Sequence, residues 1–360
     1  MKKLKAAILG LAHCHTIIFY NEFKKFADEI EIIGMADVPD PENNPEESLE
    51  ARLTANLNVP DRPKLYPCVD ALLDQKPDIV CITSDIADHP MLVKKCMERG
   101  IYTIIEKPMA CSMEDGIAIS RAAESCPDHL FVNWPIAWYP TFRKARELAR
   151  SGAVGRLLRI CYRTPQTKGP YGCKTTDFES VKGAWCYRHD RGGGSLIDYA
   201  GYGFFLASWF FEEAPKMVYG LKKNFALPFS DTEDYSSFIL DFGDKIGHAE
   251  GSWSTHCSGE IPTGPIVYGE DGTIVADRFD DTVKLYRKFK PYVPSFPPDE
   301  IYRPMPLDER DCVVGSVMDL ILKGKPVPES ISMRINRLAQ GGLSAGILSC
   351  ATGKPEKVEL

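Results

Sequence analysis

The chain lacks long apolar runs and an excess of positive charge, and these absences exclude several classes of protein. No stretch approaches the roughly 18 consecutive apolar residues of a membrane-spanning helix, so we predict no membrane span. The net charge of −7 argues against nucleic acid as the main partner, because a phosphate-binding surface needs excess lysine and arginine. The apolar stretch behind the N-terminal lysines is too short for a secretory signal, so we expect a cytoplasmic protein.

The cysteines also lack a recognisable pattern. None of the 12 forms a CxxC pair, so zinc-ribbon and thioredoxin motifs are absent, and we expect most of them to be buried free thiols. The run His13-Cys14-His15 contains three potential metal ligands. Because adjacent side chains rarely point at one ion, and no partner cluster accompanies them, we predict no metal site.

The most informative stretch that is present runs over residues 102–110. Its apolar, partly β-branched sequence predicts a short buried strand that ends in Glu106 and Lys107. Pro108 stops the strand, because proline has no N–H and fixes φ. Lys107 therefore lies at the carboxyl end of a strand, the edge at which ligands bind in open α/β sheets. A surface lysine after a strand is the alternative interpretation.

The first part of the chain alternates predicted strands and helices. Strands are predicted at residues 6–9, 30–37, 78–83, 102–107 and 130–133, and helices at residues 14–28, 51–57, 69–73, from 89 onwards, and 113–124. This alternation is typical of a doubly wound parallel sheet. We therefore predict an α/β fold that begins with a dinucleotide-binding Rossmann domain over residues 1–133.

The loop after the first predicted strand departs from the dinucleotide fingerprint. At the three glycine positions of G-x-G-x-x-G the chain has Gly10, Ala12 and His15, so only the tight-turn glycine is present. The following helix still offers N–H groups to a phosphate. Asp37 ends the second strand, where an acid can bind a ribose hydroxyl and repel a 2′-phosphate, which favours NAD over NADP. A strand-terminal turn residue is the alternative interpretation of Asp37.

The rest of the chain predicts a second domain over residues 134–360. Helices are predicted at residues 140–151, 192–211, 312–323 and 334–348, strands at residues 157–162, 217–221, 236–242, 247–254, 266–269, 272–276 and 282–285, a polar loop at residues 163–191, and a short tail at residues 354–360. This pattern indicates an α+β domain with an open, mostly antiparallel sheet, whose final helices are able to pack back on the first domain. Asp198 and Tyr202 share one helical face, although a capping acid and a core aromatic would give the same spacing.

These motifs resemble the glucose-fructose oxidoreductase/inositol dehydrogenase family, Gfo/Idh/MocA, over nearly the whole length. Glu106-Lys107-Pro108 after Thr83…His89 is the most specific match, followed by Gly192-Gly193-Gly194-x-Leu196-x-Asp198-x-x-x-Tyr202. The resemblance implies an N-terminal Rossmann domain and a C-terminal domain whose open sheet packs against another subunit, as a homodimer or homotetramer. Tyr202 stands where the inositol branch carries histidine, which is similar to the glucose-fructose oxidoreductase, pentose dehydrogenase and dihydrodiol dehydrogenase branches.

The resemblance also implies an activity and a set of site residues. The implied enzyme is an NAD(H)-dependent oxidoreductase that transfers a hydride between the nicotinamide and a secondary alcohol or ketone of a sugar, cyclic polyol or glycoside. The implied catalytic residues are Lys107, Tyr202 and Asp198. The implied cofactor-binding residues are Gly10, Ala12, His13, Asp37, Thr83, Ser84, His89, Glu106 and Lys107. Trp138, Trp185 and His189 are candidate sugar contacts, since aromatic faces suit the C–H faces of pyranoses.

Two assignments of the proton-transfer roles stay open. Tyr202 accepts the hydroxyl proton in oxidation, or donates it in reduction, while Lys107 bonds the same oxygen and lowers the phenol's pKa. In the reverse assignment Lys107 carries the proton and Tyr202 orients the substrate; in either case Asp198 orients the substrate or Lys107.

A sugar- or nucleotide-sensing binding protein without turnover is the alternative from another class, favoured by the degraded glycine loop. A glycoside oxidoreductase acting at the sugar C3 hydroxyl is the alternative among enzymes.

Overall fold

A parallel five-stranded sheet forms the first part of the protein. The computed structural model describes residues 2–38, 48–179, 181–256, 262–287 and 296–359. The first ten elements are β1 (Leu4–Leu9), α1 (Thr16–Lys25), β2 (Ile30–Ala36), α2 (Leu49–Asn56), α3 (Val69–Leu73), β3 (Ile79–Ile82), α4 (His89–Met97), β4 (Tyr102–Glu106), α5 (Met113–Ala123) and β5 (Leu130–Asn133). The strand order is β2-β1-β3-β4-β5 and every pair is parallel, which confirms the predicted Rossmann-like sheet. The carboxyl ends of β1, β3 and β4 therefore meet at one edge.

A nine-stranded sheet forms the second part. Its elements are α6 (Pro140–Arg150), β6 (Leu157–Pro165), α7 (Gly169–Gly172), α8 (Gly201–Phe211), β7 (Met217–Lys223), β8 (Tyr235–Asp241), β9 (Ile246–Ser252), β10 (Ile266–Gly269), β11 (Thr273–Ala276), β12 (Val283–Tyr286), β13 (Glu300–Tyr302), α9 (Val313–Lys323), α10 (Met333–Thr352) and β14 (Glu356–Lys357). The strand order is β13-β12-β11-β10-β6-β9-β8-β7-β14, antiparallel except for the β6–β9 pair. The predicted mostly antiparallel sheet is confirmed.

Three local predictions in this half are wrong. The tail over residues 354–360 contains a strand, because Glu356 and Lys357 pair with β7. The short strand β13 has no counterpart in the prediction, since its three residues show no alternating pattern of their own and are held by pairing with β12. The segment 163–191 is not entirely loop, because β6 extends into it and α7 lies within it.

The final helices pack back on the first part of the chain. Helix α9 contacts α1 and β4, and α10 contacts α5 and β5. The indole N–H of Trp134 donates to Asn336 Oδ1 over 2.6 Å, and the Ala110 N–H donates to Gln340 Oε1 over 3.1 Å. These contacts fix the carboxyl edge of the parallel sheet against the second part of the protein.

One face of the nine-stranded sheet carries α8, and the other is open. Helix α8 is almost entirely buried, and it approaches β9 so closely that a Cβ at Gly203 would lie 2.4 Å from the Ala249 Cβ. On the open face the large apolar side chains Tyr219, Leu221 and Ile239 are 37%, 54% and 46% exposed. The sheet therefore presents apolar surface that no described residue covers.

Two further expectations bear on the whole chain. Within the described ranges, no helix is long and apolar enough to cross a membrane. The cysteines that the structure describes are free thiols, but only Cys81, Cys96 and Cys186 are fully buried, so the expectation of mostly buried cysteines is wrong. Cys257 lies outside the described residues.

Candidate active site

The loop after β1 is tied to the end of β3. The Thr83 hydroxyl donates to the Gly10 carbonyl over 2.6 Å, and the His13 N–H donates to the Thr83 carbonyl over 3.0 Å. Gly10 has a φ of +76°, and a Cβ there would lie 2.4 Å from the Ser84 backbone nitrogen, so this position requires glycine. The structure therefore places Gly10, His13, Thr83 and Ser84 together.

Asp37 directly follows β2 and faces the same loop. Its carboxylate accepts the Leu11 N–H over 2.9 Å, and Arg52 Nη1 lies 3.3 Å from Oδ1. The side chain of Asn56 donates to the carbonyls of Leu11 and Ala12, over 2.8 and 3.0 Å. Arg52 compensates part of the Asp37 charge, which weakens the sequence argument that this acid alone repels a 2′-phosphate.

Sequence reasoning missed Arg52 and Asn56. Both lie on α2 and are buried, with exposures of 3% and 4%. Nothing in the local pattern marks them, because their partners are on the loop after β1 and at the end of β2. Only the tertiary fold shows that they hold this loop.

Lys107, Asp198 and Tyr202 come together at the end of β4. The ammonium of Lys107 forms an ion pair with Asp198 Oδ1 and donates to the Asp198 carbonyl over 3.2 Å. The same ammonium lies 4.8 Å from the centroid of the Tyr202 ring, over its face. The exposures of the three residues are only 2%, 2% and 9%. The structure thus unites the three predicted catalytic residues in a buried cluster.

Burial and charge set the ionisation of this cluster. Although burial alone would lower the pKa of Lys107, the Asp198 carboxylate and the Tyr202 and Glu106 side chains raise it. Burial raises the pKa of Tyr202 to about 12. The ammonium of Lys107 lowers this pKa, whereas the carboxylates of Asp198 and Glu106 raise it. Lys107 thus acts on the phenol in the predicted, lowering direction, but burial outweighs the ammonium and the pKa of Tyr202 is raised overall.

Asp198 lies in a π turn rather than in a regular α-helix. Residues 196–200 form this turn, and α8 begins at Gly201. Glu233 fixes the start of the turn, since its carboxylate accepts the Leu196 N–H over 2.9 Å and a Cβ at Gly194 would lie 2.1 Å from Glu233 Oε1. The glycine at 194, with φ of +110°, is thus needed for the approach that brings Asp198 to Lys107.

The ligand atoms of His13, Cys14 and His15 converge. They lie within 4.8 Å of one another, so the expectation that these neighbouring side chains diverge is wrong. His15 Nδ1 lies 3.1 Å from Glu106 Oε2, and the His13 ring stacks on Trp185 at 5.2 Å between centroids. Burial alone would raise the pKa of Glu106, but His15 and Lys107 lower it. Burial lowers the pKa of His13 well below its ordinary value.

Residues 166–179 and 181–192, here called the cover segment, lie over this edge. The Tyr171 hydroxyl donates to the Ala12 carbonyl over 2.8 Å. Arg191 donates through Nε to Asp85 and through Nη2 to Asp88, each over 2.6 Å. These contacts attach the cover segment to the loops after β1 and β3. They explain why the groups at the edge are almost fully buried.

The predicted sugar contacts occupy different places. Trp185 is buried against His13, and His189 is exposed, with its N–H donating to Asp231 over 2.7 Å. The Trp138 indole donates to Asn133 Oδ1 over 3.2 Å. In the described part of the chain, none of the three contacts Lys107, Asp198 or Tyr202 through a hydrogen bond, ion pair or ring contact.

The residues at this edge fit a dinucleotide. The N–H groups of Ala12 and Cys14, in the loop before α1, have no hydrogen-bond partner within the described ranges and suit a pyrophosphate. His89 Nε2 and Glu106 Oε1 are likewise buried and without a partner among the described residues. His89 is held through Nδ1, 3.1 Å from the Met109 carbonyl oxygen. Unpaired buried polar atoms of this kind are typical of a ligand site.

Family comparisons match both parts of the chain. The GFO/IDH/MocA model described as an oxidoreductase family with an NAD-binding Rossmann fold matches residues 5–134. The GFO/IDH/MocA C-terminal domain model matches residues 142–275. A segment of 93 residues is 29% identical to the D-apiose dehydrogenase of Paraburkholderia graminis, and it covers 26% of this chain and 25% of that enzyme's length.

Solved structures share the fold over the whole chain. An oxidoreductase from Thermotoga maritima has a TM-score of 0.74 at 17% identity, covering 99% of this chain and 98% of that one. The WlbA dehydrogenase from Bordetella pertussis, in complex with NADH and UDP-GlcNAcA, has a TM-score of 0.73 at 19% identity, with 100% of both chains covered. The aldose-aldose oxidoreductase from Caulobacter crescentus has a TM-score of 0.73 at 20% identity, covering 99% of this chain and 100% of that one. At these identities the likeness shows the fold.

Proposed function

The chain belongs to the GFO/IDH/MocA oxidoreductase family. From that premise we propose that it transfers a hydride between NAD(H) and a secondary alcohol or ketone of a sugar, cyclic polyol or glycoside. One observation carries the proposal: Lys107, Asp198 and Tyr202 form a buried cluster beside the loop that would hold the dinucleotide. D-apiose dehydrogenase and aldose-aldose oxidoreductase, to which the chain is similar, are named for sugars. This likeness supports a carbohydrate as the substrate class.

The loop after β1 and Asp37 would hold the cofactor. The free N–H groups of Ala12 and Cys14 suit the pyrophosphate, and the Asp37 carboxylate suits an adenosine ribose hydroxyl. We propose NAD(H) rather than NADP(H), because a second anion beside Asp37 would be repelled even with Arg52 nearby. The bound nicotinamide would supply the hydride chemistry.

Tyr202 and Lys107 would handle the proton. An alcohol that loses hydride from carbon must also lose its hydroxyl proton, and the reverse reaction must supply one. With a pKa of about 12, Tyr202 stays a neutral phenol near pH 7 and suits proton donation to the oxygen of a ketone. Lys107, held charged by Asp198, would stabilise negative charge on that oxygen. In the reverse assignment Lys107 itself gives the proton.

A binding protein without turnover is the second candidate function. The cover segment leaves the cluster almost inaccessible to solvent, since Lys107 and Asp198 are each only 2% exposed. A closed edge of this kind suits ligand retention as well as catalysis. Turnover therefore decides between the two candidates, while binding of a dinucleotide is expected for both.

The open sheet face suits a second copy of the chain. Tyr219, Leu221 and Ile239 lie on neighbouring strands and place apolar side chains on one surface. Burial of such a patch is favourable by roughly 25 cal/mol per Å² of apolar area. We propose a homodimer or homotetramer assembled through this face.

The direct test is substrate-dependent formation of NADH at 340 nm, with a panel of aldoses, cyclic polyols and glycosides. The variant Lys107→Met is expected to lower the turnover number at least 100-fold while NADH still binds. Lys94→Met is the control, because Lys94 is 70% exposed on α4 and is expected to leave turnover unchanged. Full activity of Lys107→Met would contradict the proposed role, and NADH binding without any turnover would favour the binding protein.

A further inference from the structure

The run His13-Cys14-His15 brings three potential metal ligands together in the loop before α1. One ring nitrogen of each histidine and the Cys14 sulfur lie within 4.8 Å of one another, and in the described part of the chain this is the only such group of histidine, cysteine and carboxylate side chains. The two imidazoles are in contact, with ring centroids 4.4 Å apart. The sequence prediction of no metal site assumed that adjacent side chains point apart, and this convergence removes that assumption.

The protein leaves one nitrogen of each imidazole and the thiol free. The His15 N–H donates to His13 Nδ1 over 3.1 Å, and His15 Nδ1 lies 3.1 Å from Glu106 Oε2, so Nδ1 of each ring already has a neighbour. Among the described residues, Nε2 of either ring and the Cys14 sulfur make no hydrogen bond. Cys14 is a free thiol. Three donor atoms of the kinds that bind transition metals are therefore available in one place.

Glu106 supports one of these imidazoles in the way that a metal-binding histidine is usually supported. Its carboxylate is fully buried, and Oε2, next to His15 Nδ1, also accepts the Lys107 N–H over 3.2 Å. A carboxylate at one ring nitrogen fixes the tautomer and raises the basicity of the nitrogen that binds the metal. The charges also favour a cation, because Lys107 is paired with Asp198 and the Glu106 carboxylate remains as net negative charge.

Solvent reaches one side of the cluster. The His15 side chain is 21% exposed and Cys14 is half-buried. His13 is only 2% exposed, and its ring stacks on Trp185 with 5.2 Å between centroids. The buried, stacked ring fixes one ligand in place, while the two partly exposed ligands provide an entry path for an ion.

We propose that His13, Cys14 and His15 bind one Zn²⁺ ion and leave its fourth coordination position open to water. Imidazole and thiolate together suit zinc, whereas Mg²⁺ and Ca²⁺ prefer oxygen ligands. Tetrahedral zinc holds nitrogen and sulfur ligands roughly 3.3–3.6 Å apart, so separations of up to 4.8 Å close with small side-chain rotations.

Zinc binding carries a proton cost at Cys14. Burial raises the pKa of this thiol to about 12, so the empty site holds a neutral thiol. The Zn–S bond forms as the S–H bond breaks, and the proton goes to solvent. The site goes beyond the proposed function and does not depend on it.

The experiment measures Zn²⁺ binding by the whole chain without an affinity tag, after chelator treatment, under reducing conditions and without dinucleotide. Isothermal titration calorimetry should give one Zn²⁺ per chain with a Kd of about 1 μM or tighter, and no binding of Mg²⁺ at the same concentrations. Co²⁺ in place of Zn²⁺ should give a sulfur-to-metal charge-transfer band and the intense visible bands of a tetrahedral site. This spectrum tests thiolate ligation in the wild-type protein.

Three variants assign the ligands. Cys14→Ser is expected to remove the charge-transfer band and to weaken Zn²⁺ binding at least about 100-fold, because the thiolate is the one anionic ligand. His15→Gln is expected to weaken binding at least about tenfold and to retain the band. Cys68→Ser is the matched control, because Cys68 is exposed at the start of α3, and it should keep both the band and the affinity. The thermal midpoint of each variant checks its folding.

Three results would overturn the inference. They are no saturable binding of Zn²⁺ by the wild-type protein, a Co²⁺ spectrum without charge transfer, and unchanged Zn²⁺ affinity in both Cys14→Ser and His15→Gln. NADH binding by the same preparation is measured separately, so a protein that binds NADH but no Zn²⁺ contradicts only the metal site. A protein that binds Zn²⁺ but no dinucleotide contradicts only the proposed function.

Discussion

At the scale of single residues, Lys107 connects the two parts of the protein. It directly follows β4 of the parallel sheet, and its ion pair with Asp198 and its contact with the Tyr202 ring reach into the second part. Because it is only 2% exposed, these partners replace the water that an ammonium would otherwise need. The charge of Lys107 is thereby held where the oxygen of a reacting carbonyl would develop negative charge.

Tyr202→Phe tests the proton assignment. If the phenol donates the proton, the turnover number for ketone reduction falls by roughly 10²- to 10⁴-fold while NADH binding is unchanged. In the wild type we expect no change in this rate from titration of Tyr202 between pH 6 and pH 9, because a phenol with a pKa of about 12 remains protonated there. Tyr219→Phe, on the open sheet face, is the control. Unchanged turnover of Tyr202→Phe would assign the proton to Lys107.

Because His89 is buried as a neutral side chain, we predict that the protein loses stability in acid. Burial lowers its pKa from 6.5 to about 4, so between those values the unfolded chain binds a proton that the folded chain does not. The contribution of neutral His89 to the free energy of unfolding is fully present above pH 6.5 and is lost as the pH falls towards 4. Between pH 7 and pH 5 the loss amounts to about 2 kcal/mol. Denaturant unfolding of His89→Gln should show a smaller loss over that interval. An identical pH dependence in the two proteins would contradict the assignment.

The sequence predicts only those site residues that carry a local signal. Lys107 follows an apolar strand and precedes proline, and Asp198 and Tyr202 share a glycine-led helix, so the three are visible as motifs. Arg52 and Asn56 carry no such signal, because their partners lie at the end of β2 and in the loop after β1. Neither can be found without the tertiary fold.

At the scale of elements, the cover segment decides access to the site. Its polar sequence predicts a loop, and little within it specifies a regular structure. Contacts with the first part of the chain determine its position, above all the bonds from Arg191 to Asp85 and Asp88. By contrast, β1 to β5 are predicted well, because each is a largely apolar run bounded by turn residues, and β3 and β5 are buried along their whole length.

Arg191→Gln is expected to loosen the cover segment. It removes the guanidinium from the buried carboxylate of Asp85, which is 2% exposed, at a cost of about 3 kcal/mol. We expect faster hydrogen exchange across the cover segment and faster association of NADH. The control is Arg188→Gln, because Arg188 pairs with Asp190 inside the segment. Unchanged exchange in Arg191→Gln would show that other contacts hold the segment.

At the scale of the whole molecule, the open sheet face predicts self-association. Tyr219 and Ile239 are paired across β7 and β8, so their side chains form one continuous apolar surface. Ile239→Lys places a charge at its centre and is expected to convert the oligomer to a monomer at micromolar concentration in light scattering. Ile117→Lys, at an exposed position of α5, should leave the mass unchanged. A wild-type monomer would contradict the proposed assembly.

The most direct test of the central claim is titration of the purified wild-type protein with NADH and NADPH, followed by tryptophan fluorescence. Trp185 stacks on His13 beside the loop that would hold the pyrophosphate, so occupancy there should change its emission. The account predicts saturable binding of NADH at least tenfold tighter than that of NADPH, because Asp37 faces the same loop. Absence of binding by either dinucleotide would contradict the assignment of this protein as a nicotinamide-dependent oxidoreductase.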